Sequence, residues 1–223
     1  MPYTQIAIDG PAASGKSTTA RIVAEQLNFI YIDSGAMYRA VTLKWLEKSS
    51  GNKSNADAEI LKTIVAEIKI AFADNGRTVL INGVDESEAI RTTNVSENVS
   101  YIASFANVRE ALVEQQRKLA LDSNVVMDGR DIGTVVFPDA PVKIFLIASA
   151  QTRAQRRALD LEKLGEKPDI EALKKQIEIR DELDSKREIS PLKKADDAIE
   201  ITTDGKTIDE VVAAIVEANG KCL

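Results

Sequence analysis

Residues Gly10-Pro11-Ala12-Ala13-Ser14-Gly15-Lys16-Ser17 hold the densest chemistry in this 223-residue chain. They fit G-x-x-x-x-G-K-[ST], a loop that cradles phosphates. The glycines let the backbone curl and turn several N–H groups inward. A helix N-terminus behind the loop adds partial positive charge. In such a loop the lysine, here Lys16, reaches the β- and γ-phosphates, and the hydroxyl, here Ser17, can ligate Mg²⁺.

Four other groups could act with it. Asp33-Ser34-Gly35-Ala36-Met37-Tyr38-Arg39 puts a serine, a tyrosine and an arginine close together. They could bind a second phosphate, or simply form a capped helix start with a surface arginine. Asp128-Gly129-Arg130-Asp131-Ile132-Gly133-Thr134 follows an apolar run. Asp128 there fits the acidic residue that holds a metal or its water; an ordinary turn with an internal ion pair is the plainer alternative. Arg153, Arg156 and Arg157 stand at i, i+3, i+4 and share one helix face. That face is either solvated or part of a lid that neutralises a transferring phosphoryl group. Arg180, Asp184 and Arg187, at i, i+4, i+7, are expected to share a face too. They form either an exposed ion-pair ladder or an arginine clamp on a ligand.

These groups must be carried by a frame, and the hydrophobic pattern supplies one. Ile6–Asp9 precedes the glycine loop, and Ile22, Val23 and Leu27 behind it are spaced for a helix. Phe29–Ile32, Val125–Met127, Val142–Ile147 and Ala198–Ile201 are further candidate strands. Strands alternating with helices imply a five-stranded parallel sheet with helices on both faces. Ligands then sit at the carboxyl ends of the strands, where the motifs lie. The stretch from 68 to 85 differs: Ile68, Ile70 and Phe72 alternate, Asn75-Gly76 is a favoured two-residue turn, and Val79 and Ile81 resume the alternation. This predicts an antiparallel hairpin in a small insertion. Helix starts are marked by Pro168 ahead of an acidic turn at Asp169-Ile170-Glu171 and by a capping box over Thr207–Glu210.

Bulk properties narrow the class. The net charge of −6 argues against nucleic-acid binding, which wants a basic field. Any anion site must be built from a few local cations. There is no histidine, so histidine metal sites and histidine acid–base chemistry are out. The single cysteine, Cys222, can form no internal disulfide. No secretory signal or long apolar run stands out, so a cytoplasmic protein with no membrane partner is expected. The guanine-reading motif of GTPases has only a partial counterpart, Asn52-Lys53-Ser54-Asn55, which lacks the aspartate.

The chain resembles the bacterial cytidylate kinases, P-loop nucleoside monophosphate kinases, over nearly its full length. The resemblance is carried by Gly10–Thr18, Asp33–Arg39, Val108-Arg109-Glu110-Ala111-Leu112 and Asp128–Pro138, then by Arg180-Asp181 with Asp184, Arg187 and Ser190-Pro191-Leu192. It implies one kinase domain over 1–223: a core of about 1–39, 96–150 and 187–223, an NMP-binding insertion of about 40–95 with a small antiparallel sheet, and a lid of about 151–186. It implies Mg²⁺-dependent transfer of the ATP γ-phosphoryl group to CMP or dCMP by a monomer. Gly10, Pro11, Ala12, Ala13, Ser14, Gly15, Lys16, Ser17 and Thr18 would hold the ATP phosphates, and Ser17 and Asp128 the metal. By the same resemblance Ser34, Tyr38, Arg39 and Arg130 serve the acceptor phosphate. Ser100, Arg109, Asp131 and Arg187 surround the base, Arg180 and Asp184 the ribose. Lys16, Arg130, Arg153 and Arg157 would carry catalysis.

Overall fold

In a computed structural model, residues 3–54, 56–163, 165 and 167–222 are described. Asn55 of the guanine-motif comparison and the side chain of Cys222 lie outside the described residues. Among those described, eight strands form: β1 (Gln5–Asp9), β2 (Ile30–Asp33), β3 (Ile70–Ala73), β4 (Thr78–Ile81), β5 (Val84–Asp85), β6 (Val125–Gly129), β7 (Val142–Ile147) and β8 (Ile199–Thr202). The helices are α1 (Lys16–Leu27), α2 (Ser34–Ser49), α3 (Asp57–Glu67), α4 (Thr93–Ile102), α5 (Ala106–Leu119), α6 (Ala150–Lys163), α7 (Ile170–Lys186) and α8 (Ile208–Cys222).

The five predicted strands pair in parallel in the order β2-β6-β1-β7-β8. Their continuous apolar character has a simple cause: the sheet is covered on both faces. On one face Ala20 and Val23 of α1 and Val212 and Ile215 of α8 pack with Ile6, Ile8, Ile144 and Leu146. On the other, Ala7, Ile32 and Met127 meet Ile132 and Val136 of a wide π-type turn over Ile132–Val136. β1 is central, with Ile8 beside Asp128 on one side and Ile144 on the other. The chain crosses from one side of β1 to the other between β6 and β7, so a crevice opens at these carboxyl ends.

A second, three-stranded antiparallel sheet runs β3-β4-β5. Val79 and Ile81 turn inward as the alternation predicts. They join Met37, Trp45, Leu61, Val99 and Leu112 in one core built mainly from α2–α5. The predicted turn at Asn75-Gly76 forms, with the Arg77 N–H donating to the Asp74 carbonyl at 3.2 Å, but inside a longer connection. The β3–β4 ladder ends at the Ala73–Thr78 pair, so residues 74–77 all lie in the connection. Asp74, Asn75 and Gly76 are left-handed, with φ of 51°, 52° and 74°. Gly76 presses on Tyr31 of β2, where a Cβ would stand 2.5 Å from the ring. A second turn of this kind, at Asn82-Gly83 with both φ positive, closes directly on the Ile81–Val84 pair and returns the chain into β5.

Both predicted helix starts form. Asp169 Oδ1 accepts hydrogen bonds from the Glu171 and Ala172 N–H groups at 2.9 and 3.3 Å. Glu210 N–H donates to Thr207 Oγ1 and Thr207 N–H to Glu210 Oε2, the reciprocal capping box.

Candidate active site

The glycine loop joins β1 to α1 and is shaped by its neighbours. Gly10 lies at φ 150°, and a Cβ there would fall 2.1 Å from the Leu146 carbonyl oxygen of β7. Only glycine fits. Ala13 is left-handed at φ 58°, and Gly15, at φ 94°, caps α1. Two arginines of α6 grip the back of the loop. Arg153 donates to the Ala12 carbonyl and Arg156 to the Ser14 carbonyl, both at 3.2 Å. A trans peptide sets its C=O and N–H in opposite directions. With these carbonyls drawn toward α6, the Ala13 and Gly15 N–H groups face away from it. Arg156 also donates to Thr203 Oγ1 and O at 3.0 Å, just beyond β8.

Within the loop Lys16 Nζ donates to the Pro11 carbonyl at 2.7 Å. Burial, reinforced by the nearby Arg130 charge, pulls its pKa down to about 7. Ser17 Oγ donates to Asp128 Oδ2 at 2.9 Å, and Tyr31 donates to Asp128 Oδ1 at 2.7 Å. Burial, with the Asp33 charge beside it, pushes Asp128 up to about 7. A buried cation and a buried carboxylate are thus both biased toward neutrality. Each would regain its charge beside a partner of opposite sign.

A second constellation lies across the crevice. Asp184 of α7 accepts from Arg130 Nε at 3.0 Å and from Ser100 Oγ of α4 at 3.3 Å. Burial opposes its charge, but Arg130, Arg180 and Arg187 hold its pKa below the usual carboxylate range. Asp131 pairs with Arg109 of α5, both fully buried, and the Arg109 guanidinium lies 5.2 Å from the centre of the Tyr38 ring. Burial pushes the Tyr38 hydroxyl up to about 12. Ser34 Oγ donates to the Asp128 carbonyl at 2.7 Å. Arg39 donates to Ser96 Oγ at 2.8 Å and to the Ile90 carbonyl at 3.3 Å.

One expectation fails. Arg187 does not share the α7 face with Arg180 and Asp184, because α7 ends at Lys186 and Arg187 has an extended backbone. The chain is turning toward Ser190-Pro191, and Arg187 donates to the Ile189 and Ser190 carbonyls of that turn. The Arg153 side chain also bonds Asp181 at 2.5 Å, tying α6 to α7 at the loop.

The electrostatics converge on one point. The charges of Arg130 and Arg180 both depress the Lys16 pKa. Burial pulls Arg39 down, and Arg157 and Arg130 add to it. Burial lowers Arg180 to about 9, with Arg130 and Arg39 adding to it. Lys16, Arg39, Arg130, Arg157 and Arg180 therefore crowd together in a protein of net charge −6. Carboxylates stand among them, with Arg130 paired to Asp184 at 3.0 Å, Asp33 acting on Arg39, Asp128 on Lys16 and Asp181 on Arg180; five cations held together at a crevice still suit a polyanion.

A family model described as Cytidylate kinase matches residues 6–221. The chain belongs to the cytidylate kinase family. A cytidylate kinase of Lactobacillus johnsonii is 51% identical over 96% of this chain and 92% of its own. One of Leuconostoc mesenteroides is 50% identical over 96% of each chain. Among solved structures, an uncharacterized protein from Eubacterium ventriosum covers 98% of both chains with a TM-score of 0.53 at 14% identity, a likeness of fold.

In this cytidylate kinase fold, Tyr31, Asp9 and Thr203 join the site without a sequence-based role, and Arg156, read with Arg153 and Arg157 as a lid face, works behind the loop. Arg156 and Thr203 support the loop from behind, and Tyr31 holds Asp128. Asp9 accepts hydrogen bonds from the Ile132 and Gly133 N–H groups. An aspartate closing the apolar run Ile6–Ile8 was a visible signal for Asp9. Thr203 carried none, since its contact spans 189 residues of sequence.

Proposed function

We propose that this protein transfers the γ-phosphoryl group of ATP to CMP or dCMP, giving ADP and CDP or dCDP. The observation that carries the reading is the convergence of Lys16, Arg39, Arg130, Arg157 and Arg180 between the glycine loop and Asp184. Two phosphate-bearing substrates meeting there bring several negative charges together, and the cations offset their repulsion.

In the reaction an oxygen of the CMP phosphate forms a bond to the γ-phosphorus. The bond from that phosphorus to the β,γ-bridging oxygen breaks, and ADP leaves with the electron pair. The attacking oxygen is already ionised at neutral pH, so no general base is required. A chain without histidine loses nothing. Catalysis is positioning and charge stabilisation. The inward N–H groups of the 10–18 loop and Lys16 hold the donor phosphates. Phosphate beside Lys16 restores its proton and makes it a full cation where charge develops. Ser34, Tyr38, Arg39 and Arg130 are assigned to the acceptor phosphate. Ser100, Arg109, Asp131 and Arg187 are assigned to the base, and Arg180 and Asp184 to the ribose. Arg157 and Arg153, on a lid of about 151–186, complete the cationic shell.

Ser17 Oγ and Asp128 Oδ2, 2.9 Å apart, fit Mg²⁺, which favours one or two protein oxygens plus phosphates over an all-protein cage. When held there it would offset the charge of the donor phosphates. The reading carries with it a cytoplasmic monomer.

A coupled assay of ADP release over a panel of acceptors tests the proposal. CMP and dCMP should support turnover. No acceptor-dependent release of ADP would leave a nucleotide-binding switch or regulatory module that binds ATP without turnover. Turnover with AMP or shikimate in place of CMP would mean a different kinase.

A further inference from the structure

The carboxylate of Asp9 closes β1 and is buried, directly ahead of Gly10. It does not point into the loop. Its Oδ1 accepts from the Ile132 N–H at 2.8 Å and its Oδ2 from the Gly133 N–H at 2.7 Å. These two donors open the π-type turn over Ile132–Val136, whose first carbonyl acceptor is that of Asp131. Asp131 therefore occupies the capping position of the turn. An aspartate there ordinarily folds back to bond the N–H groups behind it. Here it makes no such bond, and its carboxylate reaches Arg109 instead.

We propose that Asp9 is a positioning residue that caps the 132–136 turn from another strand and so frees Asp131 to face the acceptor base. The same two hydrogen bonds set the spacing between the donor loop, which starts one residue after Asp9, and the acceptor segment 130–131. Register agrees, since Asp9 lies beside Gly129 across the β1–β6 ladder. Burial keeps the carboxylate from wandering: only 4% of Asp9 is exposed. Its pKa, raised to about 6 chiefly by burial and restrained by these two N–H groups, leaves it mainly ionised at neutral pH.

In Asp9→Asn one oxygen becomes an NH₂ group facing an N–H, so one of the two amides loses its acceptor. Asp131 then becomes the nearest replacement cap and is drawn off the base. The expected result is a rise of about tenfold or more in KM for CMP, the range of one buried hydrogen bond lost. KM for ATP should stay within about twofold, and preference for CMP over UMP should shrink. Asp9 also lies within electrostatic reach of Lys16. Equal changes in the ATP and CMP parameters would show that it acts on the donor loop and would overturn the proposal. So would an unchanged KM for CMP and an unchanged CMP/UMP ratio in a folded variant. Amide exchange in the wild-type protein gives a result even where the variant does not fold: the Ile132 and Gly133 N–H groups should be protected, and rapid exchange at both sinks the idea. The proposal rests on CMP being the acceptor. The wild-type acceptor panel decides that separately, and exchange at 132 and 133 decides the capping whatever the acceptor.

Discussion

Removing the carboxylate of Asp131 tests an energetic claim and a specificity claim together. Arg109 and Asp131 are 3% and 4% exposed. Apart from Asp131, Arg109 has the Ala103 carbonyl at 3.2 Å and the face of Tyr38. Asp131→Ala leaves a buried guanidinium without a counter-charge, and breaking such a pair costs about 3–5 kcal/mol. In a protein of this size each kcal/mol moves the melting temperature by about 2–4 °C. The ligand-free variant should therefore melt roughly 6–20 °C lower, read by thermal denaturation. Arg109→Met combined with Asp131→Ala should recover much of that loss, because no buried charge is then stranded. Activity carries the second claim. Cytosine offers an N4 amino donor where uracil offers an oxygen, so a carboxylate facing that edge attracts one and repels the other. The discrimination is worth on the order of several kcal/mol. Both Asp131→Ala and Asp131→Asn should narrow the CMP/UMP ratio of kcat/KM, measured below the lowered melting point. An unchanged ratio would refute the readout and leave Asp131 as the anchor of Arg109. An unshifted melting temperature in Asp131→Ala would refute the energetic reasoning.

Three further outcomes follow from the same geometry. Lys16→Met should lower kcat by about 10²–10³, the scale of losing a preorganised charge at the reacting centre, while the melting temperature of the free protein holds or rises because burial already disfavours that ammonium; near-wild-type turnover would contradict it. Asp128 has a folded-state pKa raised to about 7 against an ordinary 3.8, so the stability its neutral form contributes is complete below pH about 3.8 and is lost as pH rises through about 7. Asp128→Asn, which cannot ionise, should therefore gain in melting temperature relative to wild type between pH 4 and pH 7, and a difference that is flat with pH would refute the assignment. A bisubstrate analogue joining adenosine to cytidine through phosphates should compact the protein in solution scattering as the lid and the NMP-binding insertion close over it; an unchanged radius at saturation counts against closure.

The strands and the glycine loop were legible in the sequence because local chemistry demands them. A parallel sheet covered on both faces needs uninterrupted apolar runs, and Ile6–Ile8 and Val125–Met127 are such runs. A loop that turns its amides inward needs Gly10 and Gly15. The capping box at Thr207 acts within one turn, so three residues of spacing reveal it. The turn at Asn75-Gly76 was legible from residue type alone, and Asn82-Gly83 carried the same signal. The tertiary structure alone decided what acts across long separations. The hairpin end at Gly76 packs against Tyr31, 45 positions earlier in the numbering. Arg187 leaves the α7 face because the chain turns toward Pro191, and Arg156 joins the loop because α6 packs behind it. Asp131 is paired with Arg109 and relieved of capping by Asp9, 122 positions earlier in the numbering. Residue types and spacing record which chemistry is available. Which carboxylate holds an arginine, a turn or a metal depends on distances and burial that exist only once the sheet has brought its strand ends together.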